Sequence, residues 1–452
     1  MAQNIVIQVG QCGNQIGSRF WEMALQEHAA HNPHGYFDSA MSTFFRNNPR
    51  RSHPAAKSSH AFDETERIHD LKVRGVAIDM EEGVINHIRS SPLGHFFGED
   101  QYITSQSGCG NNWGRGYVEY GELYHERIEE TLRRQAERCD VLQGIFMTHS
   151  LGGGTGSGLG SYVFDLISDM WPTQYKFSMA AWPSEVDDVV TSPYNSILAL
   201  DALIRSADCV LPLDNNHLLK MAGDAHRASE TPGPGDFKER RVWDAANSLA
   251  GRVLLDMTSS MRFEGGMNVD LNDIVTNLVP FPRQKFVLAS IPSSPSLGLT
   301  ALKPAQSATI FREILHPKTQ LMAAEPSRGT YLACALLLRG PFTLVDIRRN
   351  VDLLRGQMTF VHWQADAWKV GLCYKPSYTG SRGILTLANN TSILKCFQEM
   401  ERRFLRLYRR RANLHHYLQF LEVSQFTQAL DNLRDVVAQY HESGKPPPSV
   451  SG

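Results

Sequence analysis

HSLGGGTGSGLGSYVFDLI, residues 149–167, places five glycines within seven positions and then continues into an apolar, helix-like segment. Without a Cβ atom, a glycine backbone can approach a ligand closely and its N–H groups can converge on one point. The following helix adds the positive end of its dipole. The stretch therefore predicts a cradle for an anion. A flexible linker is disfavoured, because an apolar strand precedes the glycines and an apolar helix follows them.

Two familiar phosphate-binding motifs are excluded in this stretch by counting residues. A P-loop requires Lys followed by Ser or Thr after its last glycine, and GTGSGLGSY contains no lysine. The dinucleotide fingerprint requires glycines at i, i+2 and i+5, and its registers are broken by Ser157, Leu159, Ser161 and Val163. The phosphate charge must then be met by backbone N–H groups, by the hydroxyls of Thr155 and Ser157, and by a metal ion.

Three other short stretches carry the polar groups that such a site needs. GQCGNQIG at 10–17 follows the first predicted strand, DMEEG at 79–83 ends another with three carboxylates, and GCGNNWG at 108–114 adds two amides. Carboxylates repel phosphates unless a cation lies between them, and Mg²⁺ is commonly held by one or two carboxylates together with phosphate oxygens. The sequence therefore predicts Mg²⁺ in the role that lysine has in a P-loop.

Short apolar runs alternate with segments of helical period along the chain. This alternation predicts a mainly parallel sheet with helices on both faces, which binds ligands at the carboxyl ends of its strands. The first runs are NIVIQV (4–9), VRGVAID (73–79), CDVLQGIFMTH (139–149), YKFSMAAW (175–182) and ADCVLPLD (207–214). A second α/β domain is indicated by KFVLASI (285–291), YLACALLLRG (331–340) and GILTLAN (383–389).

A chain of 452 residues is too long for a single core, so several domains are expected. We predict a doubly wound ligand-binding domain over 1–222, a loop and long core helix over 223–263, an intermediate α/β domain over 264–395, and a C-terminal helical region over 396–452. In more detail, we predict a surface loop with one short helix (31–70), a loop (223–241), one long helix (242–263) and two amphipathic helices (396–421 and 426–442).

The overall composition excludes several classes of function. Lysine plus arginine number 45 against 47 aspartate plus glutamate, a formal net charge of -2, so neither nucleic acid nor an anionic membrane is an expected partner. Seven widely spaced cysteines without a C-x-x-C pair indicate a reduced compartment, with no disulfide framework and no structural zinc. The sequence also lacks a signal-peptide pattern and any long apolar run that would span a membrane.

Arginine is concentrated in EMERRFLRLYRRRANLHHYL, residues 399–418. Met400, Phe404, Leu407 and Tyr408 recur at helical spacing, which leaves most of the arginines to other faces of the helix. Two interpretations stay open, a solvated charged face above a core stripe or a docking surface for an acidic partner. Nucleic acid is disfavoured, because aromatic residues do not interleave with the arginines on the exposed face.

The motifs GQCGNQIG, GNNW, HSLGGGTGSGLG, SPYNS, RFEGGMNVDLND and NLVPFPR occur in this order, and together they resemble the tubulin family from end to end. The resemblance implies a three-part tubulin-like fold that binds GTP or GDP with Mg²⁺ and associates head to tail with other tubulins. MSTFFRNN, DMEEG, TSPYNSIL and a short tail without the acidic run of alpha and beta tubulins are most similar to the epsilon branch. That branch implies a cytoskeletal location at centrioles, basal bodies and the centrosome, with centriolar or basal body proteins as partners.

The resemblance also implies roles for individual residues. The phosphates would contact Ser150, Gly152, Gly153, Gly154, Thr155, Gly156 and Ser157, with Cys12 and Asn111 lining the cradle. Magnesium and its waters would be held by Gln11, Asp79 and Glu81. Guanine would be read by Asn215 and Asn247 and stacked on Trp243, which replaces the tyrosine of the family.

Ser192 departs from the family pattern. Alpha and beta tubulins have a glutamate there, immediately before PYN, that accepts hydrogen bonds from the ribose. A serine hydroxyl is shorter and uncharged, so binding of the sugar is expected to be weaker or to depend on Asp187 and Asp188.

Asp273 is the candidate catalytic residue. By its position alone it is explained as part of a helix cap, because Asp270 and Asp273 lie three residues apart at the start of an apolar helix. The resemblance implies a second role, since the acidic residue at this position in alpha tubulin completes the nucleotide site of the next subunit. Aspartate is one methylene shorter than glutamate, and a misplacement of about 1 Å can cost roughly 100-fold in rate.

These features lead to three functional hypotheses. The first is a GTP-binding structural subunit whose GTP is hydrolysed only when a neighbouring subunit completes the site. The second is a GTP-locked adaptor that binds partner tubulins without entering the lattice or hydrolysing GTP. The third, a nucleotide-dependent oxidoreductase, is disfavoured because the dinucleotide fingerprint is missing.

Overall fold

The computed structural model describes residues 2–48, 66–184, 189–228, 235–292, 304–364, 367–377 and 382–445. The strands are β1 (Gln3–Val9), β2 (Tyr36–Phe37), β3 (Phe45–Asn48), β4 (Glu66–Arg67), β5 (Asp70–Val73), β6 (Gly75–Asp79), β7 (Tyr102–Thr104), β8 (Leu142–Ser150), β9 (Tyr175–Trp182), β10 (Cys209–Asp214), β11 (Gly265–Met267), β12 (Val287–Ser290), β13 (Tyr331–Arg339), β14 (Trp368–Cys373) and β15 (Gly383–Asn390). The helices are α1 (Gly10–His31), α2 (Ser39–Ser42), α3 (Glu82–Ser90), α4 (Gly121–Glu137), α5 (Gly160–Met170), α6 (Ser192–Ser206), α7 (Asn215–Ala228), α8 (Gly235–Met257), α9 (Ser259–Arg262), α10 (Leu271–Leu278), α11 (Pro304–Glu313), α12 (Leu344–Arg355), α13 (Leu394–Tyr408) and α14 (Val423–Ser443).

The first part of the fold is a six-stranded sheet in the order β10-β9-β8-β1-β6-β7. Every neighbouring pair in it is parallel, so β1, β6 and β8 bring their carboxyl ends to the same edge. Side chains alternate between two apolar clusters, with Val6 facing helices α1 and α8 and Ile7 facing α5 and α6. A sheet covered on both faces explains why β1 is buried along its whole length.

The second sheet is mixed, in the order β11-β14-β13-β15-β12. Only β13 and β14 run parallel within it, and the other neighbouring pairs are antiparallel. Helices α11 and α12 share an apolar cluster with this sheet, while α8 and α10 contact β13 and β15. At the C-terminus α13 and α14 pack on α6 and on each other. The predicted α/β class, with a parallel first sheet, a second sheet domain and C-terminal helices, is confirmed.

Three local predictions need correction. The loop predicted over 223–241 is wrong at both ends, because α7 continues to Ala228 and α8 begins at Gly235, in a segment rich in the helix formers Lys, Glu and Arg. The long helix predicted over 242–263 ends at Met257, since Thr258 leaves the helical backbone before α9 begins. The helix predicted over 396–421 ends at Tyr408, shortly before two residues with left-handed backbone.

A left-handed backbone interrupts that C-terminal helix. Arg411 and Asn413 have φ values of 51° and 57°, which a continuing α-helix does not allow. A short 3-10 helix, Leu414–His416, follows. The short helix expected within 31–70 is confirmed as α2, and residues 49–65 of that segment lie outside the described residues. The surface loop expected around this helix is wrong in the described part, because β2, β3 and β4 form there and the side chains of Phe44 and Phe45 are buried. In the part of the chain that is described, no helix is both long and apolar enough to cross a membrane.

A buried cluster of charges connects the two sheets through α8 and α9. Arg339, at the end of β13, lies 2.6 Å from Glu27 on α1 and 3.2 Å from Asp256 on α8, and Arg262 also pairs with Glu27. The side chains of Glu27, Arg262 and Arg339 are fully buried. Burial alone would raise the pKa of Glu27, but the two arginines outweigh it and hold that pKa below its usual value. The cluster is therefore charged and mutually compensated.

Replacement of Glu27 by glutamine tests this cluster. Glu27→Gln leaves two buried guanidinium groups without their shared carboxylate, so the free energy of unfolding is expected to fall by about 3–5 kcal/mol. Urea denaturation, monitored by tryptophan fluorescence, measures the change. The control Glu130→Gln removes a carboxylate from an exposed ion pair on α4 and should leave the urea midpoint unchanged. Equal midpoints for Glu27→Gln and the native chain would contradict the account.

Candidate functional site

The start of α1, directly after β1, and the loop after β8 meet at a cleft along the carboxyl edge of the first sheet. Gly10 has a φ of 73°, and a Cβ there would lie 2.8 Å from the backbone nitrogen of Gly156. A Cβ at Gly154 would lie 2.8 Å from the backbone nitrogen of Asn112. Because a side chain cannot fit at such distances, glycine is required for these backbones to touch. A π-helical turn, Thr155–Leu159, then leads into α5, a geometry often found at functional sites.

The cleft has a volume of about 940 Å³, which lies within the usual range for small-molecule sites. It brings together most of the residues singled out in the sequence, from six separate stretches of the chain. These are Gln11, Cys12, Asp79, Glu81, Asn111, Ser150, Gly153, Gly154, Thr155, Gly156, Asn215, Trp243 and Asn247.

Two of the predicted phosphate contacts, Gly152 and Ser157, do not line this cleft. Ser157 is buried, and its hydroxyl donates to the carbonyl oxygen of Gly153. The carbonyl oxygen of Gly152 accepts a hydrogen bond of 2.8 Å from Asn195 Nδ2. Both residues therefore shape the loop from within.

The predicted ribose contacts are also placed differently from the rest. Ser192 begins α6, is only 4% exposed and lines a neighbouring cavity of about 750 Å³. Asp187 and Asp188, the alternative ribose contacts, lie outside the described residues.

Asp79 is suited to bind a cation. It ends β6 and is 2% exposed, with Oδ1 accepting from the backbone N–H of Glu81 at 3.3 Å. Its other oxygen, Oδ2, is buried without a hydrogen-bond partner among the described residues. Burial raises the pKa of Asp79 to about 7, and the nearby charge of Glu81 adds to the effect. A buried carboxylate with one unsatisfied oxygen would be stabilised by a cation bound in the cleft.

The set of acidic groups around Asp79 is small. Within the described ranges, no cluster of three or more His, Cys, Asp or Glu side chains could hold a metal ion by itself. Two carboxylates, Asp79 and Glu81, with the amide of Gln11 nearby, fit the pattern of Mg²⁺, which takes few protein ligands and completes its shell with water and phosphate.

The far end of the cleft offers amides and an aromatic face. Asn215 begins α7 directly after β10, and Trp243 and Asn247 lie one turn apart on α8, which packs against α7. Trp243 is 38% exposed, so its indole is accessible in the cleft. A flat heterocycle could stack on that ring and exchange hydrogen bonds with both amides.

Asn195 is a central residue that was not predicted as part of the site. Its Oδ1 accepts from the backbone N–H of Trp113 at 2.9 Å and from the hydroxyl of Tyr417 at 2.6 Å. Its Nδ2 donates to the carbonyl oxygens of Asn111 and Gly152 at 2.9 and 2.8 Å. One buried amide thus connects the glycine stretch, the GCGNNWG loop and the C-terminal region. SPYNS contains this asparagine, but its sequence carries no signal for partners so distant in the chain.

His149 also positions the glycine stretch. Its Nδ1 lies 2.9 Å from the carbonyl oxygen of Gly156, and its Nε2 lies 2.9 Å from Ser178 Oγ. Complete burial lowers its pKa to about 4, so the ring is neutral at pH 7. Three further cleft residues could have been found from the sequence. Gln15, Ser18 and Glu22 lie on the same face of helix α1 as Gln11, and they also line the cleft.

Asp273 lies at the start of α10, away from this chain's cleft. It forms a capping box with Asp270, whose Oδ1 accepts from the Asp273 backbone N–H at 2.7 Å. Its carboxylate is also paired with Lys369 on β14, with Nζ and Oδ1 2.7 Å apart. The helix-cap interpretation is confirmed, and the ion pair is a feature that sequence spacing could not reveal.

Taken together, the parallel sheet, the glycine cradle and the amide-lined end of the cleft define a nucleotide-binding protein of the α/β class. The model of the Tubulin/FtsZ family GTPase domain matches residues 3–223, and that of the tubulin C-terminal domain matches residues 282–402. The chain belongs to the tubulin family. Its GTPase domain implies that the ligand of the cleft is a guanine nucleotide.

Individual relatives support the same assignment. The chain is 43% identical to a tubulin epsilon chain of Mus musculus and 42% identical to one of Homo sapiens, in both cases over 98% of this chain and 96% of the relative. It is 33% identical to a tubulin beta-2 chain of Suillus bovinus, over 98% of this chain and 96% of that protein. The predicted similarity to the epsilon branch is confirmed.

The Asn195–Tyr417 hydrogen bond predicts a link between the C-terminal region and the nucleotide. Tyr417→Phe should lower both the stability of the fold and the affinity for guanine nucleotide, each by about 1 kcal/mol, because one buried hydrogen bond is lost and Asn195 is held less firmly. Urea denaturation and fluorescent GTP titration measure the two effects. Tyr440→Phe is the matched control, since its buried hydroxyl bonds Asn389 at 3.0 Å, distant in sequence from the cleft loops. A control that lowers affinity as much as Tyr417→Phe would refute the link.

Proposed function

We propose that the chain is a GTP-binding structural subunit that assembles head to tail with other tubulins and helps to organise doublet and triplet microtubules at centrioles or basal bodies. The observation that supports nucleotide binding most directly is the cleft, which unites the glycine stretch, the carboxylates after β6 and the amides on α7 and α8. Similarity to tubulin epsilon chains supports a cytoskeletal role. Imaging of the tagged chain tests the location, and a signal spread evenly through the cytoplasm would contradict it.

Mg²⁺ is the second ligand in this proposal. Asp79 and Glu81 would hold the ion and its waters, with the amide oxygen of Gln11 as a further contact, and the bound ion would offset the charge of the phosphates. The chain's own residues supply the rest of the site, because Gly153, Gly154, Thr155 and Gly156 line the cleft and no lysine occurs in the glycine stretch, so its backbone N–H groups would meet the phosphates.

Asp79→Asn is expected to reduce the effect of Mg²⁺ on GTP affinity without lowering the stability of the fold. In the native chain Mg²⁺ should raise GTP affinity by at least about tenfold, as expected for roughly 1.5–3 kcal/mol from a charge-assisted contact. The variant should lose most of that gain, yet without Mg²⁺ it should be at least as stable as the native chain, because a buried uncompensated carboxylate is removed. GTP titrations and thermal melts, with and without EDTA, measure both effects.

Glu82→Gln is the matched control for this experiment. Glu82 is an exposed neighbour in DMEEG that does not line the cleft, so its variant should respond to Mg²⁺ as the native chain does. A full Mg²⁺ response in Asp79→Asn would remove Asp79 from the cation site.

Hydrolysis would depend on Asp273 acting across a head-to-tail contact, on GTP held by the neighbouring subunit. Such a contact joins two different surfaces and therefore builds open filaments. In the isolated chain the carboxylate is half-exposed and paired with Lys369. We propose that this pair must open or shift before Asp273 can orient a water molecule toward the neighbour's GTP.

Asp273→Ala should slow single-turnover GTP hydrolysis in a mixture of the chain with a GTP-loaded partner tubulin. The expected loss is on the order of 100-fold, if the carboxylate positions the attacking water. Asp270→Ala is the matched control, because it removes the helix cap at a cost of about 1 kcal/mol but leaves Asp273 in place. Hydrolysis that is undiminished in Asp273→Ala would eliminate the catalytic role.

A second function is favoured by two observations, the Lys369–Asp273 pair and the serine at position 192. Here the chain is a GTP-locked adaptor that associates with centriolar microtubules or partner tubulins without entering the lattice. In that case bound nucleotide stabilises the fold. A nucleotide concentration 1,000 times the dissociation constant would add about 4 kcal/mol to the free energy of unfolding. The adaptor is supported if GTP remains unchanged for hours in the mixture with partner tubulin, and the polymer subunit is supported if GDP accumulates.

A further inference from the structure

The C-terminal part of α13 and the turn after it carry six arginines, which differ in how they are paired. Arg402 and Arg403 share Glu399, at 2.7 and 2.9 Å. Glu401, the other acidic residue of this helix segment, lies 2.7 Å from Arg434 on α14. Both carboxylates near the arginines are therefore already engaged in ion pairs.

The other four arginines form the arginine surface, which consists of Arg406, Arg409, Arg410 and Arg411. All four are exposed. Throughout the described ranges, no carboxylate lies within ion-pair distance of any of them. This concentration of uncompensated positive charge occurs in a chain whose formal net charge is -2.

The spacing of these arginines is unfavourable for the isolated chain. Arg402 and Arg406 are four residues apart on α13, and Arg410 follows at the same spacing in the turn after the helix. Like charges at this spacing repel each other on a helix surface. The negative end of the helix dipole favours cations in the last turn, but it does not extend beyond that turn to compensate for a row of this length. A bound polyanion would relieve the repulsion.

The shape of the surface suits an extended polypeptide. A shallow groove of about 560 Å³ follows the row and is lined by Gln398, Glu401, Arg402, Leu405, Arg406, Arg409 and Arg410. Guanidinium groups match carboxylates in a planar, two-pronged geometry, and Leu405 offers an apolar contact between them.

Nucleic acid fits this surface less well. Proteins that bind single strands stack bases on exposed aromatic rings. Between residues 394 and 421, all of which are described, the exposed large apolar side chain is Leu418, and no Phe, Tyr or Trp is among the exposed ones. We propose that the arginine surface binds an acidic segment of a partner polypeptide, one with several aspartates or glutamates close together in its sequence.

Binding of a fluorescein-labelled oligoglutamate peptide to the full-length chain tests this proposal by fluorescence anisotropy. The native chain should bind the peptide, and affinity should fall as salt is raised. The double variant Arg409→Ala/Arg410→Ala should bind about tenfold more weakly. The matched control is Arg348→Ala/Arg349→Ala on α12, two exposed arginines whose loss changes the net charge equally and should leave affinity unchanged.

Arg406→Glu provides a second, single-site variant and should abolish binding by reversing the charge in the middle of the row. Guanine nucleotide content, measured for every variant, shows that the fold is intact. The proposal is overturned if the control double variant weakens binding as much as the Arg409/Arg410 variant, because net charge alone would then explain the result. It is also overturned if a single-stranded oligonucleotide of equal charge displaces the peptide and binds more tightly.

Discussion

Direct contact between backbones beneath the cleft is the constraint on which the rest of the site depends. The start of α1, the loop after β8 and the GCGNNWG loop touch at Gly10 and Gly154, where any Cβ would meet a backbone nitrogen at 2.8 Å. These contacts exclude side chains from both positions, which leaves backbone N–H groups as the donors that such a cradle can offer an anion. The carboxylate of Asp79, whose Oδ2 is buried without a hydrogen-bond partner among the described residues, is the group that we propose holds the cation.

Much of this arrangement could be predicted, because local sequence patterns determine it. Strand β9 has the predicted bounds, Tyr175–Trp182, since it is a short, mainly apolar run between turns. Parallel strands bring their carboxyl ends to one edge, so loops far apart in sequence were expected to meet there. For the same reason the structure gathers Gln11, Asp79 and Thr155 in one cleft.

What could not be predicted depends on contacts between distant parts of the chain. Asn195 and Tyr417 are separated by 222 positions, and no spacing rule connects them. Lys369 reaches Asp273 because β14 and α10 lie close together in the fold. The early end of α13 depends on left-handed backbone at Arg411 and Asn413, although arginine favours helices. In each case tertiary contacts outweigh local preference.

The nucleotide released when the purified chain is denatured shows most directly whether the glycine cradle holds a guanine nucleotide. Chromatography of the released material identifies the base and counts phosphates. We expect GTP or GDP in a stoichiometric amount, with less retained when the chain is purified in EDTA. An adenine nucleotide, or no nucleotide from a folded chain, would contradict this expectation.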